Sequence, residues 1–114
     1  MPRVTAPLSL LALALAGAPL VAQQAKFAPE AVSALRAQEP ARALQATDHL
    51  RAARAVLGLD GQHDFRMIRV ETDAFGMAHT RFHQTFQGLR VWGGEAITHQ
   101  NADGSFQPHT QAFR

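Results

Sequence analysis

Two histidines four residues apart, His79 and His83 in His79-Thr80-Arg81-Phe82-His83, are the first residues whose spacing suggests chemistry. On a helix they would share a face, as the paired histidines of a zinc-peptidase helix do. Such a helix needs a Glu directly after the first His as general base, and this chain has Thr80 there. On a strand, with about 3.3 Å per residue, the two rings are about 13 Å apart. One metal ion with bonds of about 2 Å cannot join them. No zinc site, catalytic residue or cofactor site is therefore expected. His79, Arg81 and His83 instead project from one strand face. There they can pair with acids such as Glu71 or Glu95, or meet a partner's surface.

The other polar residues carry less. His49, His63, His99 and His109 are scattered and read as solvated or locally hydrogen-bonded. Asp73 and Asp103 lie in turn sequences, where a carboxylate bonds neighbouring backbone N–H groups. Gly93-Gly94 is followed by neither a helix start nor a Lys, so it is no phosphate loop. Trp92 is either core or an exposed anchor for a partner, and the sequence leaves both open.

The elements that position these residues follow from periodicity. Pro40 suits the first turn of a helix, where its missing N–H costs nothing. Ala43, Ala46, Leu50, Ala53 and Leu57 make one apolar stripe, and Gly58 is a C-terminal cap. The small Ala side chains allow close approach to a sheet. From Phe65 the texture changes to β-formers. Ala78 to Phe86 alternates with period two, Leu89 to Trp92 is a short apolar strand, and Gly93-Gly94 ends or bulges it. Asp73 to Gly76, Gln87-Gly88 and Asn101 to Gly104 are turns. The expected class is α+β: one helix packed on an antiparallel β-meander, spanning residues 40–114. Residues 23–39 are expected to be a weakly structured N-terminal extension, in which Pro29 could open a short helix.

The chain has 114 residues, no Cys and a formal charge of +2. One small domain without disulfides buries a thin core, so stability must come from packing or from a partner. The arginines are interleaved with acids, which argues against a nucleic-acid-binding face. Residues 1–22 have a basic start at Arg3, an apolar run from Pro7 to Ala16, helix breakers at Gly17 and Pro19, and small Ala22 before polar Gln23. That is the pattern of a cleaved secretory signal peptide, with cleavage expected after Ala22. The apolar run is shorter than the roughly 20 residues of a membrane span. A secreted chain with no stable membrane association after cleavage is expected.

The stretch from Thr72 to Gly94, TDAFGMAHTRFHQTFQGLRVWGG, resembles the fungalysin/thermolysin propeptide domain. Asp73, Gly76, His79, Arg81, Phe82, Gln84, Phe86, Gly88, Val91, Gly93 and Gly94 stand where that family has its motif residues. The similarity continues through Glu95, Ile97 and His99 to Asp103-Gly104. Ala74, His83, Leu89 and Trp92 depart from the pattern. The resemblance implies the propeptide of a secreted thermolysin-like metalloprotease, assisting the folding of a catalytic domain and inhibiting it. That domain would be the partner and would carry the zinc and calcium; this chain has no HExxH. The propeptide-like region is expected to be truncated on its C-terminal side. Asp73, Gly76, Gln84, Gly88, Gly93 and Gly94 then belong to a structural motif, and His79, Arg81, His83 and Trp92 are the partner-binding candidates. A free-standing secreted inhibitory module is the alternative.

Overall fold

A computed structural model describes residues 25–114, and the expected signal peptide lies outside the described residues. Two helices precede four strands: α1 (Pro29–Arg36), α2 (Glu39–Ala52), β1 (His63–Thr72), β2 (Ala78–Phe86), β3 (Leu89–Gln100) and β4 (Phe106–Ala112). The strands form one antiparallel sheet in the order β1-β2-β3-β4. The class is α+β as read from the sequence, with two helices where one was expected.

The additional helix, α1, lies within the stretch read as a weak extension. Pro29 opens it, Glu30 sits in its first turn and Arg36 in its last, each matched to the helix dipole. It is anchored: Val32 is buried, and the Phe27 N–H donates to the Ala74 carbonyl at 2.8 Å. Leu35 and Phe27 close over Gly76 so tightly that a Cβ there would lie 2.9 Å from each. Gly76 also has φ +77°, so both space and backbone demand glycine.

α2 buries Arg42, Ala43, Ala46 and Leu50, a stripe of period three to four. The helix stops at Ala52, short of Leu57. There the Ala53 N–H turns to Leu50, and tight turns carry the chain to Gly58 at φ +77°. These turns bring buried Leu59 under the helix and aim the chain into β1. Ala46, Leu50, Leu59, Phe65, Phe82 and Ala96 form the core, with Leu57, Phe106 and Phe113 at its rim. Fully burying Phe82 and Leu50 contributes about 1.5–3 kcal/mol each.

Much of the rest of the layer beneath the helices is polar. Thr72, Thr80, Thr98, Gln84, Gln100 and Arg42 are all buried. Arg42 donates to the carbonyls of Gly76 (3.1 Å), Gln100 (3.1 Å) and Asn101 (2.8 Å), tying α2 to the β1–β2 and β3–β4 turns. Burial lowers the Arg42 pKa, against the opposing charges of Glu39 and Asp73.

Candidate docking face

Strand alternation divides the sheet side chains between two faces. One packs on α2; the other is left open by it. Cross-strand register arranges the open face in rows. Arg66, His83, Glu95 and Ala112 make one; Arg69, Arg81, Ile97 and Thr110 the next; Glu71, His79 and His99 the third. His79, Arg81 and His83 are half-buried here, flanking the buried Thr80 and Phe82 that point the other way. Arg81 lies 3.8 Å from Glu95, one of the two acids expected to meet this face. The other, Glu71, pairs with Arg69 at 3.5 Å. Both pairs are exposed enough to contribute at most about 1 kcal/mol each. The buried Nδ1 of His83 has no hydrogen-bond partner.

His79 has a different set of partners. Its Nε2 lies 2.7 Å from Asp73 Oδ2, and its Nδ1 lies 2.8 Å from His99 Nδ1. The other nitrogen of His99 lies 3.1 Å from Thr110 Oγ1. A hydrogen-bonded chain thus runs from the β1–β2 turn across β2 and β3 to β4. Asp73 is held by the turn it closes: Oδ1 accepts the N–H groups of Phe75 (2.8 Å) and Met77 (3.0 Å). Burial raises the Asp73 pKa, but the bonds from His79, Met77 and Phe75 outweigh it and the net shift is downward. Burial, with the neighbouring His79 and His109, lowers the His99 pKa. In the sequence, Asp73 reads as a turn residue and His99 as one of several scattered histidines, with nothing to join them. Hairpin register would have shown the link, because His79 and His99 are direct cross-strand partners.

The remaining motif residues build the frame. Gln87 (φ 51°) and Gly88 (φ 83°) make a two-residue hairpin loop with both residues left-handed, the primed turn that suits strand twist. Between the pairs Thr85↔Arg90 and His83↔Glu95, the four residues Val91 to Gly94 stand opposite Gln84 alone. β3 therefore bulges at Gly93-Gly94 and continues to Gln100. Gly94 rests on Gln84: a Cβ there would lie on its Oε1 and 2.8 Å from its Cβ. The fully buried Gln84 amide then acts like a piece of strand. Its Nε2 donates to the Arg114 carbonyl and its Oε1 accepts the Arg114 N–H, both at 2.9 Å. Beside the bulge, Trp92 is 83% exposed, with the Arg90 guanidinium 5.2 Å from its ring. Of the two readings of Trp92, core is excluded. Leu89 is exposed near it, so the β2–β3 hairpin carries apolar surface.

His79 is committed to Asp73 and His99, His83 lies further along the strand, and no group of three potential ligands gathers among the described residues. Nor is any helix among the described residues long and apolar enough to cross a membrane. Residues 63–111 match the family model described as Fungalysin/Thermolysin Propeptide Motif, a match running from the first residue of β1 to the penultimate residue of β4. No curated protein and no solved structure matches the chain.

Proposed function

From the premise that residues 63–111 are a fungalysin/thermolysin propeptide motif, a non-catalytic module, we propose that the chain is the propeptide part of a secreted thermolysin-type zinc metalloprotease. It binds a catalytic domain lying outside these 114 residues, assists its folding and restrains it until removal. Secretion rests on the leader pattern of residues 1–22.

The observation that carries this reading is the match over nearly the whole sheet, combined with a sheet face that α2 leaves open. Propeptide action of this kind is binding: complementary surface is buried and no bond is made or broken. The open face presents Arg66, Arg69 and Arg81 with His79 and His83, and Trp92 stands exposed at the hairpin as an anchor. Aromatic and Arg residues of this kind dominate the energetics of many interfaces.

The test is refolding. A thermolysin-type catalytic domain from the same genome is denatured in urea and refolded with and without the chain, and the chain is titrated onto the folded enzyme. A gain in recovered peptidase activity supports the folding role. Tight inhibition of folded enzyme without any refolding gain instead favours the free-standing inhibitor. No effect in either assay overturns both.

A further inference from the structure

The Asp73–His79–His99–Thr110 chain has a proton capacity that follows from its geometry. With both rings neutral, every donor points toward Asp73: Thr110 O–H to His99 Nε2, His99 Nδ1–H to His79 Nδ1, and His79 Nε2–H to Asp73 Oδ2. One added proton is also accommodated. The ring beside Asp73, His79, then donates at both nitrogens, His99 carries its hydrogen on Nε2 and donates to Thr110, and the contact between the rings survives. The added charge is then balanced by the Asp73 carboxylate. A second proton has no place. Both Nδ1 atoms would carry hydrogens and face each other at 2.8 Å, so the ring-to-ring bond must open.

Resting on the reading that the open face is the docking face, we propose that this chain makes docking acid-sensitive: the partner binds with the His79–His99 bond closed, and the second proton opens the bond and releases the partner. The charged groups around the rings are Glu71 and Arg69 on β1, Arg81 and His83 on β2, Glu95 on β3 and His109 on β4. From α2, Glu39 and Arg42 act near Asp73. Glu71 and Glu95 already face Arg69 and Arg81, which compete with a second imidazolium for these acids. In the free chain, the doubly charged rings can swing apart into water. Under a docked partner they are held together in a medium of lower dielectric, where the charged form is disfavoured. Docking therefore expels the proton, and by reciprocity the proton expels the partner. The downward shift at His99 agrees in sign.

The test uses the full chain with the catalytic domain of the refolding assay, and reads ring protonation separately from binding. NMR follows the His99 ring in wild type and in His79→Gln. The expected result is a wild-type midpoint below about 6.5, the ordinary His value, that rises toward it in the variant. Kd for the folded catalytic domain is then measured from pH 7.5 to 5. If one proton must be shed on docking, wild-type Kd rises about tenfold per pH unit below the His99 midpoint. His99→Gln, and His79→Gln where circular dichroism shows it folded, should give a profile flatter by that one proton. A wild-type Kd independent of pH, a Kd that falls on acidification, or an unchanged slope in His99→Gln overturns the proposal. If the catalytic domain fails to bind even at pH 7.5 while His99 shifts as expected, the docking reading has failed and the hydrogen-bonded pair has not.

Discussion

Replacing Arg42 by Ala removes three hydrogen bonds that join α2 to two turns at one end of the sheet. The Gly76 and Gln100 carbonyls are bonded in buried surroundings, and Asn101 is partly open to water. Leaving a buried acceptor unsatisfied costs about 1–3 kcal/mol, and water reaching Asn101 moderates the total. Against this, the fold no longer buries a guanidinium, a cost that shows in the lowered Arg42 pKa. The net expectation is a loss of about 3 kcal/mol, set against roughly 5 kcal/mol for a small domain near the low end of stability. Urea denaturation followed by circular dichroism measures it. With a slope of about 1 kcal/mol per molar, the midpoint should move by about 3 M at unchanged slope. Arg42→Lys, a single ammonium in place of the guanidinium fork, should keep some of the carbonyl bonds and lose about half as much. A loss below about 0.5 kcal/mol in Arg42→Ala would refute the claim that this residue locks the helix to the turns.

Gly94→Ala places a methyl group against the fully buried Gln84 and should cost about 2 kcal/mol, read as a drop in melting temperature. Gly93→Ala meets more open space but sits at φ +80°, so about 1 kcal/mol of backbone strain is expected in the same assay. Burial lowers the pKa of both His49 and His99, so the folded state binds fewer protons than the unfolded one. Their contribution to stability is then full above about pH 6.5 and falls as pH drops from there through the lower folded values. Urea midpoints at pH 7.5 and 5.5 should show that decline. Trp92→Ala should leave stability within about 0.5 kcal/mol, because the ring is solvated, while weakening capture of the catalytic domain by about tenfold or more. Unchanged capture removes Trp92 from the docking surface.

Local patterns were legible in the sequence wherever a single element decides them. The period-two run in β2, the Ala43–Ala46–Leu50 stripe and the Gln87-Gly88 turn needed no tertiary information. What escaped depends on two or more elements meeting. α1 looked weak because half of its apolar residues are Ala; Val32 is buried, and Leu35 becomes an anchor only when the β1–β2 turn supplies Gly76 to pack on. Arg42 stands four residues before Ala46 and eight before Leu50, at the head of the buried stripe, and a charged residue there signals a polar receptor. That receptor consists of backbone carbonyls from distant turns, which a side-chain pattern does not reveal. His99 had no visible partner until the hairpin register set it opposite His79.

The motif residues and the docking candidates consequently divide by what they touch. Asp73 closes a turn and orients His79; Gly76 admits Leu35 and Phe27; Gln84 and Gly94 replace a ladder interrupted by the bulge. All of these are satisfied within the chain, and changing them should alter the sheet before it alters any contact with a partner. Arg66, Arg69, Arg81 and Trp92 have no comparable duty among the described residues, where their pairings are exposed or absent. His79 alone belongs to both groups, lying on the open face while bonded to the turn. It is therefore the residue through which a partner's presence and the geometry of the β1–β2 turn can influence each other, and a substitution there should disturb folding and docking together.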